Sequence, residues 1–179
     1  MNEYQTIQIG DGFHLASIRA SDKPAYLQHF ADPEIGRTML ALPFPYSEAD
    51  ADWWIAHRLS NARERETQFG IRIADGSLIG GIGFVDELIA GAYRGEIGYW
   101  LARAYRGRGL MPRVIQAFAS YAARDLKLHK LTATTYPFNP ASSRALEKAG
   151  FTLEGRLREH IRSRSGVEYF DALVYGLIL

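Results

Sequence analysis

Arg106-Gly107-Arg108-Gly109-Leu110-Met111-Pro112 is the stretch on which the fold turns. Ahead of it, Glu96-Ile97-Gly98-Tyr99-Trp100-Leu101 reads as a buried strand, and behind it residues 114–125 carry apolar side chains at helical spacing. A glycine-rich loop thus joins a strand to a helix N-terminus. Glycines let backbone approach a ligand closely, and a first helical turn offers unpaired N–H groups and the positive end of a dipole. That combination suits an anion, phosphate above all. Pro112 agrees with it, because proline suits the first turn of a helix. Arg103, Arg106, Arg108 and Arg113 surround the loop and suit either a bound phosphate or a solvated basic rim.

Neither common phosphate loop is present: there is no G-x-x-x-x-G-K-[ST], and no G-x-G-x-x-G with an acidic residue about twenty positions on. The residues follow [Q/R]-x-x-G-x-[G/A] as Arg106-x-x-Gly109-x-Met111, with methionine in the last small-residue position. This resembles the pyrophosphate-binding loop of the GNAT superfamily of acetyl-CoA-dependent N-acetyltransferases. Downstream, the β-branched run Leu128-His129-Lys130-Leu131-Thr132-Ala133-Thr134-Thr135 precedes Asn139-Pro140-Ala141-Ser142-Ser143-Arg144-Ala145-Leu146-Glu147-Lys148-Ala149-Gly150-Phe151. The second segment resembles the superfamily's N-x-x-S…L-x-x-x-G-F signature. With Leu153-Glu154-Gly155-Arg156-Leu157-Arg158-Glu159 and the closing Tyr169-Phe170-Asp171-Ala172-Leu173-Val174-Tyr175-Gly176-Leu177, the chain resembles the RimJ/RimL-like branch of ribosomal-protein N-terminal acetyltransferases. The likeness is dense from Glu96 onward and looser before it.

Composition is that of a compact enzyme. The 179 residues are 47% hydrophobic, enough for one domain with a core, and a single domain over 1–179 is expected. Lys plus Arg number 21 against 20 Asp plus Glu, a net charge of +1, which argues against general nucleic-acid binding. With no cysteine there is no disulfide, thiolate metal site or cysteine nucleophile, and no metal is expected. No apolar run has the length of a membrane span, and Met1-Asn2-Glu3-Tyr4-Gln5 lacks a basic-then-apolar signal, so a cytoplasmic location is expected.

Along the chain, residues 13–19 alternate as a first strand, Ser21-Asp22-Lys23-Pro24 starts a helix, and Ser47-x-x-Asp50 forms a capping box ahead of Trp53, Trp54, Ile55 and Leu59. Residues 67–73 and 78–85 flank the hairpin turn Asp75-Gly76-Ser77, and residues 94–101 make a fourth strand. The second half alternates helix, strand, helix, strand, strand. An α+β fold is expected, a twisted and mostly antiparallel sheet with helices on both faces. The resemblance implies about seven strands and a splayed fourth and fifth pair.

The resemblance also assigns roles. Acetyl-CoA is the implied co-substrate. Its pyrophosphate would lie on Arg106, Gly107, Arg108, Gly109, Leu110, Met111 and Arg113, its pantetheine arm on the main chain of Tyr99, Trp100 and Leu101, with the Asn139 amide on the same arm. Asn139-Pro140 equally suits a turn and helix cap. Glu96 stands where many members carry a catalytic glutamate, although a charge at a strand end is equally natural there. Glu159, with His160 beside it, lies where the RimL-like branch carries its base, with Ile161 as the competing alignment. Much of the superfamily protonates the leaving thiolate with a tyrosine in the helix before Gly-Phe. Here that helix has none, and Ser142 is the candidate acid, or simply a residue of the helix start.

Chemistry favours certain acceptors. A lysine amine of pKa about 10.4 is neutral roughly once in a thousand at pH 7.4, an α-amine of about 7.7 to 8.0 roughly one time in four, a gap of about 3 kcal/mol of base catalysis. The resemblance implies an amine acceptor as partner, a protein N-terminus or a small molecule such as a polyamine, an aminoglycoside or an amino acid. Neither nucleic acid nor a membrane is expected, and a homodimer stays open. Leu42-Pro43-Phe44-Pro45-Tyr46 and the Trp53-Trp54 pair are the candidate acceptor groove, with one tryptophan in the core because adjacent positions cannot share a helix face. A non-catalytic acyl-CoA sensor on the same fold is the alternative.

Overall fold

A computed structural model describes residues 6–39, 42–60, 67–89 and 91–179, so the expected absence of a leader at Met1–Gln5 lies outside the described residues. The chain divides into two compact units, the described residues of Met1–Gly83 with Tyr99–Arg108, and Phe84–Gly98 with Gly109–Leu179.

In the first unit, β1 (Ile7–Gly10), β2 (Phe13–Ser17), β3 (Gln68–Arg72) and β4 (Leu78–Phe84) lie side by side in that order. They run antiparallel, with Ile7 opposite Leu15, Leu15 opposite Ile71, and Phe69 opposite Ile82. The β3–β4 hairpin closes as expected: Gly76 N–H donates to Ile73 O at 2.9 Å, and Asp75 Oδ1 accepts from Ser77 N at 2.8 Å. Three helices stand between β2 and β3 in the chain, α1 (Lys23–Phe30), α2 (Pro33–Thr38) and α3 (Glu48–Ser60). The capping box at the start of α3 forms in both directions, Ser47 N to Asp50 Oδ2 at 2.8 Å and Asp50 N to Ser47 Oγ at 3.3 Å.

Apolar side chains from every layer of this unit converge on one core: Ile18, Tyr26, Phe30, Ile35, Ile55, Leu78 and Trp100. Trp100 is its hub, with ring centroids 4.8 Å from Phe30, 5.9 Å from Tyr26 and 5.7 Å from His29. Gly81 makes room for it, since a Cβ there would stand 2.6 Å from Trp100 Nε1.

The second unit orders β5 (Arg94–Leu101, its first five residues here and its last three in the first unit), β6 (Lys130–Thr135), β8 (Tyr169–Ile178) and β7 (Thr152–Arg162). β5 runs parallel to β6 through Arg94/Lys130, Gly95/Leu131 and Glu96/Thr132, and that ladder ends there although β6 continues to Thr135. The other ladders, β6–β8 and β7–β8, are antiparallel. Helix α4 (Leu110–Arg124) buries Leu110, Met111, Val114, Ile115, Phe118, Ala119, Tyr121 and Ala122, the apolar face that its spacing predicts. Helix α5 (Pro140–Lys148) buries Ala145 and Leu146.

The mixed, mostly antiparallel architecture is the expected one, with eight strands rather than about seven among the described residues. The extra strand is β1, whose four residues carry too short an alternation to stand out beside the Asp11-Gly12 turn. Residues 94–101 therefore form the fifth strand, not the fourth. Helix α2 also went unread, although Asp32 before Pro33 is a cap followed by a first-turn proline. No helix among the described residues is long and apolar enough to cross a membrane.

Candidate active site

After a 3-10 turn at Arg103–Tyr105, the loop reaches α4 through two glycines in the left-handed region, Gly107 at φ 75° and Gly109 at φ 74°, the latter capping the helix. A side chain would strain either position, yet a Cβ at either would meet no described atom within 4 Å. The requirement is conformational, and the space beside the backbone is open. The side chains of Leu110 and Met111 are buried, while their N–H groups belong to a first helical turn, which has no intrahelical acceptors. A methionine thus fits the loop's last small-residue position because its side chain leaves the loop. The geometry suits a pyrophosphate: main-chain donors of a first helical turn, a helix dipole and room.

The arginines divide into two kinds. Arg106 is committed, its Nε donating to Leu101 O at 2.8 Å and its Nη2 lying 3.4 Å from Asp32 Oδ2. Arg103 holds the other oxygen of the same carboxylate, Nη2 to Oδ1 at 3.0 Å. Those contacts, led by the Arg103 hydrogen bond, keep the Asp32 carboxyl below the usual range. Arg108 is exposed and makes no ion pair or hydrogen bond among the described residues, so it is the cation available to a ligand. Arg113, in the first turn of α4, is half-buried.

Of the three β5 residues expected to present main chain, Trp100 has its side chain in the core, Leu101 O is occupied by Arg106, and Tyr99 is half-buried. Trp54 is the core member of the tryptophan pair, packed on the Trp100 cluster, while Trp53 is 65% exposed and stacks on His57 at 5.1 Å.

In the second unit, Glu96 is half-buried on β5, opposite Thr132 of β6. Asn139 caps α5, its side-chain oxygen accepting from Ser142 N at 3.3 Å, and the half-buried Ser142 occupies the third position of that helix. Cap and binding residue are compatible roles for Asn139.

The structure adds a residue that the sequence reading missed. Tyr136 follows β6 directly, and its carbonyl accepts from Asn139 N at 2.8 Å. Its half-buried ring stacks on Phe138 at 5.1 Å and 12°, and Phe138 meets Phe170 edge-on. Burial raises the pKa of the Tyr136 phenol, and the negative charge of Glu96 raises it further. The signal was a tyrosine at a strand exit ahead of Asn-Pro, whereas the sequence reading sought one inside the helix.

Glu159 lies in the β7 bulge between Leu157 and Ile161, with φ 48° and an exposed side chain. The structure engages its backbone, whose N–H donates to Asp171 Oδ1 at 2.9 Å, while Arg156 Nε donates to Asp171 Oδ2 at 2.5 Å. Among the described residues no hydrogen bond links Glu159 to Glu96, Asn139 or Ser142.

Residues 13–152 match the family described as acetyltransferase (GNAT) domain. The probable N-acetyltransferase YjcK of Bacillus subtilis is 39% identical over 102 residues, 56% of each chain, so that match spans little more than half of either. The SPbeta prophage-derived uncharacterized N-acetyltransferase YokL of the same organism is 30% identical over 174 residues, 96% of this chain and 93% of the relative. Among solved structures, RimL, a ribosomal L7/L12 α-N-protein acetyltransferase in complex with coenzyme A, superposes with a TM-score of 0.84 at 20% identity over 98% of both chains, a likeness of fold.

Proposed function

The chain belongs to the acetyltransferase (GNAT) family, an acyltransferase, and we propose that it moves the acetyl group of acetyl-CoA to a primary amine by direct attack in a ternary complex. Residues 1–179 would act as one catalytic domain, with the cytoplasm as its compartment. The observation that carries the co-substrate is the loop: two left-handed glycines with open space beside them, leading into the first turn of α4. The main chain of Gly107, Arg108, Gly109, Leu110 and Met111 would bind the pyrophosphate, with Arg108 supplying charge and Arg113 beside it. Arg106 serves the same end indirectly, by fixing the loop to Leu101 and Asp32. Main-chain groups of Tyr99 and Trp100 and the Asn139 amide would hold the pantetheine arm. Leu101 could offer its N–H there, since its carbonyl already accepts from Arg106.

The amine must lose a proton before or as it attacks. Glu96 would take it, directly or through water, because a carboxylate within reach of the nucleophile serves that purpose. Glu159 is the second candidate, weaker because its side chain is exposed in a bulge. Ser142 would face the thiol from the start of α5. The acceptor that fits best is a protein N-terminal α-amine. Its lower pKa asks less of a single carboxylate, and RimL, the structure of like fold, is by name an α-N-protein acetyltransferase. Polyamines, aminoglycosides and amino acids form the alternative class.

Free-thiol release from acetyl-CoA, measured against peptide N-termini, polyamines, aminoglycosides and amino acids, tests this reading. Turnover on peptide N-termini supports it in full. Turnover confined to small amines replaces the acceptor, and calorimetry showing no acetyl-CoA binding overturns the co-substrate assignment.

A further inference from the structure

We propose that the Thr135 hydroxyl is a binding contact for the thioester end of acetyl-CoA. This rests on the acetyl-transfer reading above and adds to that site a residue from the end of β6.

Leu131, Ala133 and Thr135 form the buried face of β6, at 0%, 1% and 2% exposure. The first two are apolar. Thr135 brings a hydroxyl to the same face, and its Oγ1 has no hydrogen-bond partner among the described residues. Arg72 and Asp125 also bury an unbonded polar atom, but each joins an ion pair. A hydroxyl withdrawn from water without a partner costs free energy, and valine, of nearly the same shape, would fill the position without that cost. The cost is recovered when a ligand brings an acceptor to the hydroxyl.

The position of Thr135 indicates which ligand. The β5–β6 ladder ends at the Glu96/Thr132 pair, whereas on its other side β6 stays paired with β8 as far as Thr135, opposite Leu173. Directly after Thr135 comes the turn closed by Asn139 N donating to Tyr136 O at 2.8 Å, and Asn139 Oδ1 accepts from Ser142 N to cap α5. Thr135 thus stands between the last β5 pairing and the start of α5, in the segment to which the pantetheine arm and the thiol are assigned. A buried hydroxyl suits a slender, neutral acceptor, which a thioester is and a phosphate is not. It makes a hydrogen bond and transfers no proton, so the roles given to Glu96 and Ser142 are unchanged.

Two variants separate this role from packing, each followed by thermal unfolding of the free protein and by calorimetry with acetyl-CoA. Thr135→Val removes only the hydroxyl. Because no bond is lost in the free protein, its unfolding midpoint should equal or exceed that of wild type, while its Kd for acetyl-CoA should rise about tenfold, the scale of one hydrogen bond. Thr135→Ser keeps the hydroxyl and deletes a buried methyl, so its midpoint should fall while its Kd stays within about threefold of wild type. The two rankings run in opposite directions, which a packing defect does not produce. A Thr135→Val Kd within about threefold of wild type, or a serine variant that binds as weakly as the valine one, overturns the contact. So does a lowered midpoint for Thr135→Val, which would show that the hydroxyl is already bonded in the free protein. An equal loss of affinity for the nucleotide fragment of CoA that ends at the pyrophosphate would put the effect at the loop and overturn the assignment to the thioester. A wild type that binds no acetyl-CoA brings down the acetyl-transfer reading itself, an outcome distinct from all of these.

Discussion

Arg106 and Asp32 are joined by an ion pair of 3.4 Å, while the same arginine donates through Nε to the carbonyl at the end of β5. The arginine that the loop pattern singles out is therefore part of the loop's mounting, and Asp32 is the anchor, since it also holds Arg103 and caps α2 through Glu34 N at 3.0 Å. Asp32→Asn keeps an oxygen for the cap but removes the charge, and about 1 kcal/mol of stability should go, a modest figure because Arg103 is largely exposed. Asp32→Ala should cost about 1 kcal/mol more through the cap. The folded pKa of Asp32 lies below its unfolded value, so this stabilisation is complete above the unfolded pKa of about 3.9 and disappears as pH falls through the lower, folded one. Urea unfolding of wild type and Asp32→Asn should differ at pH 7 and converge below about pH 4. Equal midpoints at neutral pH would show that the pair carries no stability.

Gly109 gives the second prediction. At φ 74° a valine would be strained by about 1–2 kcal/mol, and its side chain would enter the space proposed for the pyrophosphate. Gly109→Val should therefore abolish acetyl-CoA binding in calorimetry while the protein stays folded. Gly109→Ala should show the smaller strain and a partial loss. Micromolar binding by the valine variant would refute the pyrophosphate placement.

Much of this site was legible because its signals are local. Left-handed glycines, a first-turn proline, a strand before and an apolar helix face after are all written within residues 94–125, and the structure realises them. Asn139 and Ser142 were legible for the same reason, as one cap and its helix. What escaped depends on contacts between distant residues. Arg106 meets Asp32, Trp100 becomes a hub through α1, and the Tyr136 phenol is pushed upward by burial and by the charge of Glu96 on another strand. β1 escaped because four residues make no period, and its strand character comes from pairing with β2.

Asp22 and Arg72, fifty positions apart, illustrate the same point and give a third prediction. Arg72 is 1% exposed, and two of its nitrogens each donate to a different Asp22 oxygen at 2.8 Å, with further bonds to Gly76 O and Ser17 O. Removing the carboxylate leaves a buried guanidinium without its counter-charge. Asp22→Ala should lower unfolding free energy by about 3–5 kcal/mol, whereas joint replacement of both residues by apolar ones should recover part of that loss. Chemical denaturation of the three proteins decides it, and a loss below about 1 kcal/mol for Asp22→Ala would mean that the pair contributes little.

The acceptor can be read through Glu96. If its carboxylate removes the amine's proton, its importance must grow with the pKa of that amine, because the fraction already neutral at pH 7.4 falls from roughly one in four for an α-amine to roughly one in a thousand for a lysine-like amine. Glu96→Gln should therefore lower kcat/KM on any accepted amine, and the loss should shrink as pH rises towards the pKa of that amine. For a peptide N-terminus most of the deficit should be regained by about pH 9, where the α-amine is already neutral. For a polyamine or lysine-like acceptor a large deficit should persist there, since such amines are still mostly protonated. The pH dependence of the wild-type to Glu96→Gln ratio thus separates the two acceptor classes by kinetics alone. A ratio near one at every pH would remove Glu96 as the base and return that role to Glu159 or to solvent.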